Sequence, residues 1–102
     1  MMITNTKDMT VKDLQRRVSE IFIDELKLED VTPETLDPEM HLMEELGIDS
    51  MDLITVVLVL KDEFSVNIAE ADYPKLTNIR LISEYIKEKI EHGRLADRKV
   101  AS

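Results

Sequence analysis

No cysteine occurs among the 102 residues of this chain. Disulfide staples, thiolate nucleophiles and Cys-based zinc sites are thereby excluded, and the two histidines, His41 and His92, lie too far apart to pair as metal ligands. Tryptophan is absent, and phenylalanine and tyrosine number two each. The core must therefore be aliphatic and methionine-containing. Two glycines and three prolines are too few for the many tight turns of a β-sandwich, which favours an all-α chain. No apolar run approaches the roughly 18 residues that a membrane span requires, and the polar stretch after Met1-Met2-Ile3 is unlike a signal peptide. A soluble, cytoplasmic chain without membrane insertion is expected.

Positive charge is also scarce where it would matter. The net charge is −9, which argues against nucleic-acid binding, since such affinity comes from Lys and Arg on phosphates. The imbalance is local. Glu29, Asp30, Glu34, Asp37, Glu39, Glu44, Glu45, Asp49 and Asp52 fall within residues 29–60, where no Lys or Arg occurs. An acidic face of this kind keeps a protein soluble, and beside a reactive group it also makes a docking surface for basic partners.

The apolar periodicity lays out one domain. Residues 1–9 have no period and read as a disordered tail. Thr10 and Asp13 form a capping-box pattern that opens a helix, along which Val11, Leu14, Val18, Ile21, Phe22 and Leu28 make the core stripe. Arg16 and Arg17 fall on its solvated face. From Glu29 to Asp49 the period is lost and Pro33 and Pro38 interrupt any helix, so a long connection is expected, pinned to the core by Leu36, Met40, Leu42 and Leu46. The acids there lack the spacing of a calcium-binding loop, which leaves only weak, diffuse divalent-cation binding and no metal site.

The run Leu53 to Leu60 is rich in β-branched residues and would pass for a buried strand. No second strand-like run exists to pair with it, and Leu53, Val56, Val57, Leu60 and Phe64 form one helical face. Burying those five supplies on the order of 10 kcal/mol gross, enough to override a modest propensity penalty. Met51, Ile54 and Leu58 make a second stripe. It is either further core or a partly exposed patch for partners. A short helical turn around residues 68–72, stopped by Pro74, leads to a last helix capped by Thr77. Its apolar face is Ile79, Ile82, Tyr85, Ile86 and Ile90, and Gly93 closes it. The domain thus spans residues 10–92, with residues 93–102 a second disordered tail. The fold expected is a small antiparallel bundle of three longer helices and one short one, with a long first loop.

One hydroxyl stands out. Asp49 is placed to cap the helix that begins at Ser50, with Asp52 in its first turn, so the Ser50 side chain sits at a helix N-terminus that favours a phosphate group. That is an attachment point rather than a catalytic triad: His41 and His92 are not expected to converge on it, and no strand-turn-helix nucleophile elbow surrounds it.

Gly47-Ile48-Asp49-Ser50-Met51 closely resembles the modification motif of acyl carrier proteins. The resemblance extends over roughly residues 10 to 90. Leu36-Asp37 and Leu42 before the motif, Phe64 at the end of the following helix, and Leu76-Thr77-Asn78-Ile79 opening the last helix are all similar to that family. It implies that Ser50 bears a covalent 4′-phosphopantetheine arm, with Asp49 as motif and cap residue, and that the chain is a carrier and not an enzyme. The implied partners are a phosphopantetheinyl transferase using coenzyme A, and acyl-transfer and chain-elongation enzymes with basic docking patches. They would be met by Met51, Asp52, Ile54, Thr55, Leu58 and Asp62 on a monomeric carrier. Thr55 and Lys61 stand where the fatty-acid-synthesis members are commonly acidic, and Ala69 where a proline often follows the isoleucine. The resemblance implies a carrier for fatty-acid, polyketide or related acyl-chain biosynthesis, and these departures point to a specialised member, for polyketide, lipid-modification or another dedicated acyl route, rather than the housekeeping one. The reading from another class is an acidic helical interaction module in which Ser50 merely starts a helix.

Overall fold

The computed structural model describes residues 10–101, with side-chain surroundings for residues 10–91. The expected tail at residues 1–9 lies outside the described residues. Helix α1, Val11–Leu26, opens on the reciprocal Thr10–Asp13 capping box, each side chain accepting the other's backbone N–H at 3.1 Å. It ends where Lys27 turns left-handed. Leu14, Val18, Ile21 and Phe22 are buried as the period predicts, whereas Val11 and Leu28 are only partly covered.

The connection after α1 is less irregular than its composition suggests. It contains a short helix, α2, Leu42–Leu46, which the sequence analysis did not anticipate. Five residues are too few to show a period, and the cap is His41, whose Nδ1 accepts the Glu44 N–H at 3.2 Å, outside the usual set of capping residues. Leu36 and Leu42 are buried, and Met40 and Leu46 pack partly against the core, so the loop is pinned as expected. Backbone bonds complete the attachment: Leu42 N–H donates to Thr77 O at 2.9 Å and Arg80 N–H to Pro38 O at 3.0 Å.

Helix α3, Ser50–Phe64, resolves the strand ambiguity in favour of packing: Leu53, Val56, Val57, Leu60 and Phe64 are all buried. The short turn predicted around residues 68–72 is a 3-10 helix, Glu70–Lys75, and Pro74 lies inside it rather than ending it. Ile68 and Leu76, on either side, are buried.

Helix α4 runs Ile79–Ala101. Its N-cap is Asn78, not Thr77: Asn78 Oδ1 accepts the Leu81 N–H at 2.7 Å, while the Thr77 carbonyl is engaged by α2. Nor does the helix stop at Gly93. An interior glycine costs only about 1 kcal/mol, and Arg94, Leu95, Ala96, Arg98 and Lys99 are good helix formers that carry the backbone on. Ile79, Ile82, Ile86 and Ile90 are buried, and α1 packs on both α3 and α4 around one core that is aliphatic apart from Phe22 and Phe64; no methionine among the described residues is buried in it, against expectation, and Met40 packs only partly against it. The result is the all-helical bundle expected, with two short helical elements in place of one.

Arg16 and Arg17 do more than face solvent. Arg17 grips Glu63 with two nitrogens, Nη2 to Oε1 at 2.6 Å, fastening α1 to the end of α3. Arg16 pairs with Glu34 in the long loop and holds that carboxyl below its usual range.

Candidate functional site at the start of α3

Four consecutive residues place the Ser50 hydroxyl. Gly47 ends α2 in the left-handed region at φ 73°, its N–H bonded back into that helix. A Cβ built there would meet nothing within 4 Å, so glycine is required by the backbone angle and not by crowding. Ile48 follows and is buried at 4 % exposure, which anchors the turn in the core. Asp49 is extended, with Oδ1 accepting the Asp52 N–H at 2.9 Å and its own N–H directed to Asp52 Oδ2 at 3.4 Å, a second capping box. Ser50 is then the first residue of α3 and is exposed. The anchor and the cap fix the backbone on both sides of a hydroxyl that stays in solvent. This is the geometry expected for Asp49 and Ser50.

The second stripe of α3 is not simply core. Met51 is 69 % and Leu58 56 % exposed, and Ile54 between them is half-buried. Met43 of α2, 41 % exposed, is a further large apolar side chain in solvent, one that no periodicity singles out. Thr55 and Asp62 are exposed, and the Thr55 hydroxyl donates to the Met51 carbonyl at 3.1 Å, so its polarity is spent partly on its own helix.

Beside Ser50 lies a cavity of about 420 Å³. Met43, Leu53 and Ile54 wall one part of it, and Tyr73, Pro74 and Leu76 another; His41 and Thr77 contribute polar edges, with Ser50 itself in the lining. Sequence reasoning missed His41, Met43, Tyr73 and Pro74 here, because residues 41–54 and the distant segment 73–77 meet at this point only in the folded bundle. The only available signal was the position of Leu42 and Leu76 at the ends of those segments. His41 does come to the Ser50 cavity, but its Nδ1 is committed as the α2 cap.

The acids of residues 29–60 are partly answered in space. Glu34 pairs with Arg16, and Glu39 accepts from Arg80 Nε at 2.7 Å. Among the described residues, Glu44 and Glu45 of α2 and Asp49 and Asp52 at the start of α3 form no ion pair with Lys or Arg, so the chain next to Ser50 keeps its negative charge. Among the described residues no group of three or more His, Asp or Glu side chains is arranged to hold a metal ion, and no helix is long and apolar enough to cross a membrane.

Two comparisons bear on this arrangement. The family model described as "phosphopantetheine attachment site" matches residues 16–86, which include both the Ser50 turn and the cavity walls. Among solved structures, an acyl carrier protein from Enterococcus faecalis superposes with a TM-score of 0.65, at 23 % identity, over 79 % of this chain and 99 % of that one. At that identity the likeness is one of fold.

Proposed function

This chain belongs to the phosphopantetheine-attachment family, whose covalent cofactor is 4′-phosphopantetheine, and from that premise we propose that Ser50 is the residue that carries the arm. The observation that carries the proposal is an exposed serine hydroxyl at the first position of α3, held between a buried Ile48 and the Asp49–Asp52 cap, on the rim of an apolar cavity. A phosphopantetheinyl transferase catalyses attack of the Ser50 oxygen on the coenzyme A pyrophosphate: the new O–P bond leaves the phosphopantetheine on Ser50 as a phosphodiester, the pyrophosphate bond breaks to release adenosine 3′,5′-bisphosphate, and the hydroxyl proton is lost to solvent or to the transferase. The thiol at the far end of the arm then holds acyl groups as thioesters. The protein supplies tethering, which raises the effective concentration of a bound chain at each partner enzyme. It performs no step of the chemistry.

Partner enzymes of acyl transfer and chain elongation meet the acidic rim and the apolar patch together. Asp49, Asp52 and Asp62 offer charge to basic docking surfaces, and Met51, Ile54 and Leu58, widened by Met43, offer contact area. Thr55 and Lys61 weaken the charge pattern in the middle and last turns of α3, which supports a specialised acyl route, of fatty-acid, polyketide or related type, at work in the cytoplasm. An aliphatic chain on the arm folds back into the cavity beside Ser50, whose lining is mostly apolar and contains an adaptable methionine.

The absence of cysteine makes the test direct. After incubation with coenzyme A and a broad-specificity phosphopantetheinyl transferase, thiol titration of the repurified chain should find one thiol per molecule where the sequence has none. A chain that gains no thiol would be an acidic interaction module instead.

A further inference from the structure

The 3-10 helix Glu70–Lys75 is an unusual wall for a binding cavity. None of its six residues is fully buried, and its N-cap, Ala69, has no side chain with which to cap it. The chain is anchored before it by Ile68 and after it by Leu76, both buried, so the segment between is pinned at its ends. Tyr73 and Pro74, from the middle of that segment, form part of the cavity wall beside Ser50.

Two hydrogen bonds join this segment to α4, and both end on one atom. The Tyr85 hydroxyl donates to Asp72 Oδ2 at 2.5 Å and accepts the Ala69 N–H at 3.4 Å. Tyr85 thus ties both the entry and the first turn of the 3-10 helix to the bundle. Lys75 Nζ lies 3.2 Å from Asp72 Oδ1, and Lys89 Nζ stands 5.3 Å from the centre of the Tyr85 ring, so both partners of the tie are oriented from outside. Burial, with the Asp72 carboxylate beside it, pushes the Tyr85 phenol up, while the Tyr85 hydroxyl and Lys75 hold Asp72 below its usual range. Donor and acceptor therefore keep their roles across neutral pH.

We propose that the Tyr85 hydroxyl and Asp72 form a latch that holds the 3-10 helix closed over the Ser50 cavity, and that this latch retains an arm-borne aliphatic chain inside it. The inference rests on the carrier reading and deepens it. Tyr85 and Asp72 are positioning residues, since neither lies next to the attachment serine in the chain and their effect passes through Tyr73 and Pro74. With the latch intact, a chain long enough to enter the cavity draws its thioester against the protein surface and slows attack by a solution nucleophile. A two-carbon acyl group is too short to gain from this.

The test uses the full chain, loaded with the arm and charged with either a decanoyl or an acetyl thioester. Hydroxylamine attacks the thioester carbonyl, giving a hydroxamic acid and freeing the arm's thiol, and the two rates are compared. The parent should release decanoyl more slowly than acetyl. Tyr85→Phe keeps the ring and removes the hydroxyl, and should speed decanoyl release about fivefold, the scale of one lost hydrogen bond, with acetyl release unchanged. Asp72→Ala should act in the same direction, and Asp72→Asn, which retains an acceptor oxygen, should restore most of the protection. A merely structural role would lower the melting temperature in all three without changing the decanoyl-to-acetyl ratio. The latch is overturned if Tyr85→Phe and Asp72→Ala both load normally and leave that ratio as in the parent. It is equally overturned, with the carrier reading intact, if the parent releases both acyl groups alike. A parent that gains no arm at all removes the carrier reading and the latch together.

Discussion

Replacing Gly47 isolates the backbone requirement of the Ser50 turn. The residue sits at φ 73°, and a Cβ there would meet nothing within 4 Å, so a side chain adds conformational strain without a clash. An L-residue in this region costs about 1–2 kcal/mol, and alanine recovers part of that, about 0.4–1 kcal/mol, by restricting the unfolded chain. The net loss for Gly47→Ala is thus about 1 kcal/mol, which for a domain of this size lowers the melting temperature by about 4–8 °C. Asparagine visits the left-handed region more readily, so Gly47→Asn should lose less; Gly47→Val, branched at Cβ, should lose most. Thermal unfolding followed by circular dichroism gives the order, and loading of Ser50 should slow in the same order because the turn sets the start of α3. Four proteins that melt together, or a valine variant as stable as the alanine one, would refute the assignment of a left-handed turn at this position.

Three further outcomes follow from the ion pairs and the charge pattern. A double-mutant cycle on Arg17 and Glu63, through Arg17→Ala and Glu63→Ala, should give a coupling of about 0.5–1 kcal/mol that shrinks in high salt, since both side chains remain partly exposed. Glu34 has its carboxyl pKa depressed by Arg16, so its contribution is fully present above the unfolded value of 4.5 and is lost as pH falls from there through the lower folded value. The melting difference between the parent and Glu34→Gln, visible at neutral pH, should accordingly vanish in acid, and a difference that grows there would reverse the sign. Thr55→Glu combined with Lys61→Glu should speed acyl loading by a general fatty-acid-synthesis enzyme at low ionic strength, with the gain fading in high salt; equal rates would move discrimination to the Met51, Ile54 and Leu58 patch.

Much of this was legible in the sequence wherever a period or a local spacing carried it. The Thr10–Asp13 cap and the Asp49–Asp52 cap before Ser50 join residues three apart and are found, as is the buried face of α3; the face of α1 is found at Leu14, Val18, Ile21 and Phe22 but not at Val11 and Leu28, which are only partly covered. Helix α3 shows why propensity was the weaker guide: its β-branched run became helical because five of its side chains could be buried on one face. What stayed hidden was of two kinds. Elements without a period, such as α2 with its histidine cap, leave no repeating signal, and the short turn placed at residues 68–72 was legible as an element but not in its bounds, since Glu70–Lys75 absorbs Pro74. Contacts between distant segments, such as Arg17 with Glu63, Tyr85 with Asp72, and the cavity wall shared by α2, α3 and the 3-10 helix, depend on the assembled bundle. The ends of α4 were misjudged for smaller reasons: Thr77 and Asn78 are both good caps, and one glycine does not outweigh the helix formers after it.

Whether Ser50 bears the arm is decided by peptide mass mapping. The parent and Ser50→Ala are each incubated with coenzyme A and a phosphopantetheinyl transferase, digested, and examined for the added phosphopantetheine mass. An exposed first-turn serine is expected to contribute no more than about 0.5 kcal/mol, so the variant should keep the circular dichroism spectrum of the parent. The added mass should appear on the Ser50 peptide of the parent alone, and nowhere in the variant. A folded Ser50→Ala chain that still acquires the group, or a parent modified at another residue, would contradict it.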